Sequence, residues 1–130
     1  MIYEFDPVIY PRKLWITYDA TPEELNEKFP SGDINGNKFK QEEGYYGMTE
    51  QVCLQEPDGS NGSGGILIRF DGNTKAMTPW NIAHEAIHAA GYICNYVGIA
   101  ADWENDEAFT YLATWIIKCC EEVKQKEEKQ

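Results

Sequence analysis

The chain's two histidines stand four residues apart with a glutamate directly after the first, in His84-Glu85-Ala86-Ile87-His88. On a helix, at about 100° per residue, His84 and His88 lie about 40° apart on one face and one turn removed, so their imidazoles converge on a single ion. Imidazole nitrogen is a zinc ligand. The Glu85 carboxylate beside the pair can take a proton from a metal-held water as that water attacks a carbonyl. The implied chemistry is hydrolysis with zinc as cofactor, His84 and His88 as ligands and Glu85 as general base. The ordinary alternative is a pair of solvated surface histidines; this five-residue pattern arises by chance in roughly one chain in several hundred of this length.

A helix must carry the motif, and its signals are present. Thr78 is a good N-cap, Pro79 suits the first helical position and Gly98 is placed to end the element, which predicts a helix over 79–97. Ile82, Ala83, Ala86, Ile87, Ala90, Ile93, Cys94 and Val97 form its apolar stripe, with the histidines on roughly the opposite side, facing a cleft. Gly91 and Asn95 continue the histidine row, and the bare Gly91 lets another group come close. A second helix is expected over about 106–123, capped by Asn105, with Phe109, Leu112, Ala113, Ile116, Cys120 and Val123 as its stripe; the charged residues 121–130 are expected to fray.

Upstream, residues 1–11 read as an irregular lead-in and 14–18 as a strand. Thr21-Pro22-Glu23-Glu24 has the form of a capping box opening a short helix to about Phe29. Residues 34–47 read mostly as loop, with extended structure around 37–39. Residues 48–55 and 65–70 read as strands flanking a Gly- and Ser-rich hairpin tip over 57–64, which no helix follows as a phosphate-binding loop requires. The fold class is α+β: a small, mostly antiparallel sheet with a short N-terminal helix, the helix of the histidines and a C-terminal helix.

Zinc needs a third protein ligand if one position is left for water. With no further histidine, the candidates are carboxylates and thiolates. The connection after Gly98 brings the start of the last helix back beside the first, which favours Glu107, with Glu104, Asp102 and Asp106 as alternatives. Glu107 also suits a plain role as a first-turn acid on the helix dipole.

These residues carry a resemblance. His84-Glu85-x-x-His88 followed by Asp106-Glu107-Ala108-Phe109-Thr110-Tyr111 resembles the gluzincin branch of zinc metallopeptidases, in which a downstream helical glutamate completes the ligand set, often as Asn-Glu-x-x-Ser/Ala-Asp. The chain departs from that pattern at Asp106 and Tyr111. It is similar also to small zincin-like proteins of phages and mobile elements. The resemblance covers residues 78–117 and implies a minimal zincin-like metallopeptidase with Glu107 as third ligand, a peptide or protein substrate, and an oxyanion stabiliser drawn from Tyr111, Tyr92, Tyr45 or Tyr46. A metzincin alignment would put Cys94 at the third-ligand position, but Cys94 falls in the apolar stripe and no methionine follows His88. Two other readings stand beside peptidase activity: a metal-holding but non-proteolytic binding module, and a metal-free interaction domain.

Bulk properties bound these readings. At 130 residues the chain is expected to form one domain, 1–130. A formal charge of −11 and a pI near 4.5 argue against nucleic acid or an anionic membrane as partner. No apolar run approaches the length of a membrane helix, and the N-terminus lacks a signal-peptide layout, so the cytoplasm is the expected location. Cys53, Cys94, Cys119 and Cys120 form no Cys-x-x-Cys pair and are expected to be reduced structural thiols.

Overall fold

Ile66, Leu67 and Ile68 are apolar without alternation, the pattern of a strand covered on both faces. In the computed structural model of the protein all three are fully buried. They belong to β4 (Asn61–Phe70), which pairs antiparallel with β3 (Gly47–Gln55) and parallel with β2 (Lys13–Thr17). A further strand, β1 (Tyr3–Phe5), joins β2 antiparallel and completes a mixed sheet of order β1-β2-β4-β3. Three helices, α1 (Pro22–Lys28), α2 (Pro79–Tyr96) and α3 (Glu107–Glu128), make the fold α+β. The structure describes residues 1–42, 44–55, 61–72 and 74–129; the core of the expected hairpin tip, 56–60, lies outside the described residues.

Period-two alternation sorts the strand side chains onto two cores. Leu14, Ile16, Ile66, Ile68 and Phe70 pack against α2 and α3, whereas Trp15, Leu67 and Val52 pack against Leu25 of α1, its C-cap Phe29, and Phe39. The parallel β2–β4 pair has its crossover through α1, the loop after it and β3. That loop is better organised than its polar sequence suggests. Asp33 Oδ1 accepts from the Asn35 and Asn37 amides at 2.8 and 2.9 Å, and Asn26 holds the Phe39 backbone through bonds of 2.8 and 3.0 Å. Residues 37–39 form no strand.

The helix signals act as expected at three ends. Thr21 and Glu24 form the capping box of α1, and Thr78 Oγ1 accepts from the Asn81 amide at 3.2 Å at the start of α2. Gly98 takes a φ of 81°, the left-handed geometry glycine allows cheaply, and the Ile99 amide donates to the Cys94 carbonyl at 2.9 Å, closing α2 in a Schellman motif.

Four expectations are corrected. The lead-in contains β1, because the sheet edge supplies β2 as a partner. The N-cap of α3 is Asp106, without a side-chain cap bond, in place of Asn105. The charged tail does not fray within the described residues: α3 continues to Glu128, and buried Glu127 accepts from Tyr3 Oη at 2.8 Å, tying the helix end to β1. Ile87 is 51% exposed, while Ala89 takes its place in the core. Among the described residues no helix is long and apolar enough to cross a membrane.

All four cysteines are free. Burial pushes the Cys94 and Cys120 thiols up and takes Cys119 up to about 12, so these three stay protonated and unreactive near neutrality. In native protein at pH 8, Ellman's reagent should therefore titrate Cys53 quickly and the other three only after denaturation; a second fast thiol would mean that the α2–α3 core opens.

The two glycines of the α2 region should respond oppositely to alanine. A Cβ at Gly91 meets nothing within 4 Å, so Gly91→Ala should stabilise by about 0.5–1 kcal/mol. Gly98→Ala must adopt positive φ and should cost about 1–2 kcal/mol. Thermal melts, at about 4 °C per kcal/mol for a chain of this size, check both.

Candidate functional site

The face of α2 opposite its apolar stripe carries His84 and His88, and both are exposed. Their Nε2 atoms stand 3.1 Å apart, with the rings edge to face. Two nitrogens on a tetrahedral zinc, each at about 2.0–2.1 Å, are about 3.3 Å apart. The rings as they stand therefore fit two positions around one ion, provided both imidazoles keep their protons on Nδ1.

Glu85 is different in kind. It lies one step round the helix from the histidines, over the edge of the sheet, and is buried at 6% exposure. A buried carboxylate requires donors. Thr49 of β3 supplies one, its hydroxyl donating to Glu85 Oε1 at 2.8 Å. The other carboxylate oxygen, Oε2, lies 4.0 Å from His84 Nε2. Gly47, at the start of β3, makes room for this arrangement, since a Cβ there would stand 2.8 Å from Glu85 Cγ. Thr49 and Gly47 were not legible as site residues: thirty-six residues separate Thr49 from Glu85, and only the antiparallel register that places β3 at the sheet edge brings them together.

The remaining candidates are not assembled around the pair. Among the described residues no group of three or more His, Cys, Asp or Glu side chains is placed to hold a metal ion. Glu107 opens α3 and is exposed. Helix α3 packs through Leu112, Ala113 and Ile116, and Glu107 lies about 200° round the axis from Phe109 of that stripe, which turns it away from the packed side. Asp102 is exposed and accepts from the Glu104 amide at 3.0 Å within its own turn. Glu104 is exposed, and Asp106 stands at the N-cap position of α3 without a side-chain cap bond. Cys94 is in the core. Of the tyrosines, Tyr45 packs toward the Arg69 guanidinium, 5.8 Å from its ring, and desolvation raises its pKa. Tyr111 lines a groove with Pro7, Tyr10 and Trp115; Tyr46 is exposed, and Tyr92 lies on the outer face of α2.

Comparison with protein-family models, with curated proteins and with solved structures finds no match in any of the three. Together with the absence, among the described residues, of a three-ligand group, this overturns the resemblance to gluzincins and to small zincin-like proteins of phages and mobile elements. That resemblance depended on Glu107 completing the ligand set, and the packing of α3 turns Glu107 outward. What stands is local: two convergent imidazoles and one buried, oriented carboxylate.

The Glu85 support should be measurable. Thr49→Val removes the donor from a buried carboxylate and should cost about 1–3 kcal/mol in denaturant unfolding. Gly47→Ala should cost a similar amount, because Glu85 must move. If both variants melt like the wild type, Glu85 is not held against β3.

Proposed function

We propose that the chain is a zinc-dependent hydrolase of peptide bonds, with His84 and His88 holding the metal and Glu85 acting as general base. The observation that carries this reading is the placement of one buried carboxylate, fixed by Thr49, with its second oxygen 4.0 Å from one member of an imidazole pair whose nitrogens are 3.1 Å apart. Solvated surface histidines have no need of a neighbouring acid buried at 6% exposure.

Zinc at the pair would polarise a carbonyl and acidify a water. Glu85 would do the proton work: Oε1 is committed to the Thr49 hydroxyl, which leaves Oε2 as the oxygen directed toward the histidines and available to take a proton. The Thr49 bond fixes the carboxylate's rotamer, so the base is pre-oriented rather than recruited.

A peptide is favoured as substrate by the neighbouring strand. The outer edge of β3 is met by an isolated bridge from Asp33 to Val52 and by the Ile34 amide, which donates to the Gln51 carbonyl at 3.0 Å. Among the described residues no strand pairs with the outer side of 47–50, the stretch beside Glu85. An extended chain could add there through main-chain hydrogen bonds. The formal charge of −11 disfavours polyanionic substrates.

One observation favours a second reading, a metal-holding module without hydrolysis: two histidines without a third protein donor hold zinc less firmly than a full set. A single series separates the two. One zinc per chain should bind wild type and raise its melting temperature, and His84→Ala or His88→Ala should abolish the shift. Glu107→Ala should change zinc affinity by less than about threefold, whereas loss of a residue bonded to the metal would cost more than the 10- to 100-fold typical of supporting residues. Glu85→Gln should keep zinc and fold but lose at least about 10²-fold of any hydrolysis of an unfolded protein substrate. Zinc binding with no wild-type hydrolysis selects the module; undiminished turnover in Glu85→Gln removes Glu85 as base; no zinc binding removes both readings.

A further inference from the structure

Beyond the histidines the same face of α2 opens into a cavity of about 440 Å³ between the C-terminal half of α2, the connection after it and the first turns of α3. Gly91, Cys94, Ile99, Trp103 and Phe109 give it an apolar lining. We infer that this cavity receives a large apolar side chain of the substrate, flanking the bond held at the histidine pair; the inference rests on the hydrolytic reading above.

Three observations carry it. Helical geometry places Gly91 about 4.5 Å along the axis from His88 and within about 20° of the direction of His84. An extended peptide advances about 3.3 Å per residue, so a carbonyl at the histidines delivers the side chain one or two residues away to the cavity mouth. The space over Gly91 is open, since a Cβ there would meet nothing within 4 Å. Finally, Trp103 lines this cavity yet is 96% exposed. An indole left in water beside an apolar recess gains contact area when an aromatic or large aliphatic group enters. The charged members of the lining, Asp102 and Asp106, disfavour an acidic occupant. The substrate class is therefore a peptide with an aromatic or bulky aliphatic residue next to the cleaved bond.

The test has a binding arm and a cleavage arm. In the first, N-acetyl-phenylalaninamide, N-acetyl-glycinamide and N-acetyl-glutamic acid amide are titrated into wild type, Gly91→Ala and Gly91→Leu, with backbone amide and Trp indole shifts followed by NMR. The phenylalanine ligand should shift Gly91, Trp103 and Phe109 and the other two should not. Gly91→Ala should retain the response, and Gly91→Leu, which fills the cavity from an open position on the helix, should weaken it by at least about tenfold. In the second arm, peptides differing only in Phe, Gly or Glu beside the bond should be cut by wild type in the order Phe over Gly over Glu, with about tenfold between the first two, and Gly91→Leu should erase the preference. Absence of pocket shifts with the phenylalanine ligand, or a Phe preference that survives in Gly91→Leu, overturns the inference even if peptides are hydrolysed. Pocket shifts that Gly91→Leu removes, with no cleavage of any peptide, keep the cavity as an apolar side-chain site and overturn only the hydrolytic reading.

Discussion

Ala86, Ala89 and Ala90 are fully buried between Ile82 and Ile93 of α2, in one core with Ile66 and Ile68 of β4. Small side chains on one partner and branched ones on the other let the two surfaces interdigitate closely, and this contact fixes both the height and the rotation of α2. The rest of the candidate site follows from that rotation. With the alanine stripe facing down, Glu85 falls at the margin of the contact over Gly47, and His84 and His88 face outward. A turn of one residue position would bury an imidazole and expose the carboxylate.

Burial is demanding for an acid, and two acids beside β3 meet it differently. Glu85 has the Thr49 hydroxyl at 2.8 Å. Glu50, the next residue of β3, has Arg69 at 3.5 Å, but its Oε2 has no hydrogen-bond partner among the described residues. Desolvation raises the Glu50 pKa, and Arg69 offsets only part of that. The fold therefore favours the protonated form of Glu50, so the stability linked to it is full below its unfolded pKa and is lost as pH rises through the higher folded value. Neighbouring residues of β3 thus meet acids on opposite faces of the sheet: Thr49 holds Glu85 of α2 by its hydroxyl, and Glu50 faces the Arg69 guanidinium, which also lies 5.8 Å from the Phe39 and Tyr45 rings.

The face built by α2 combines features that belong together in a site for a chain-like ligand. The exposed imidazole pair lies between an edge-strand stretch that is open at 47–50 and an apolar recess starting at Gly91, with the oriented carboxylate on the strand side. None of these is costly to the fold: the histidines are on a solvated face, the recess borders a helix already closed by Gly98, and the strand edge is short. The burial of Glu85 is the costly feature, which is why it bears most weight in the functional reading.

Capping and periodicity are local, so the start of α1 and both ends of α2 were legible in the sequence, while the ends of α3 were not. Thr21 with Glu24, Thr78 with Pro79, and Gly98 each acted where their chemistry placed them. The sequence determined equally that His84 and His88 share a face, since that follows from helical pitch alone. Apolar runs located β2 and β4 but could not decide that they pair in parallel, nor that three isolated residues after Met1 find a strand partner, because pairing depends on segments far apart in the chain. The same limit governed the site. Thr49 and Gly47 reach Glu85 only through sheet register, and whether Glu107 approaches the histidines depends on how α3 docks through Leu112, Ala113 and Ile116. Spacing fixes what one element presents; which residues of two elements meet is set by the packing between them, and that is a property of the tertiary structure alone.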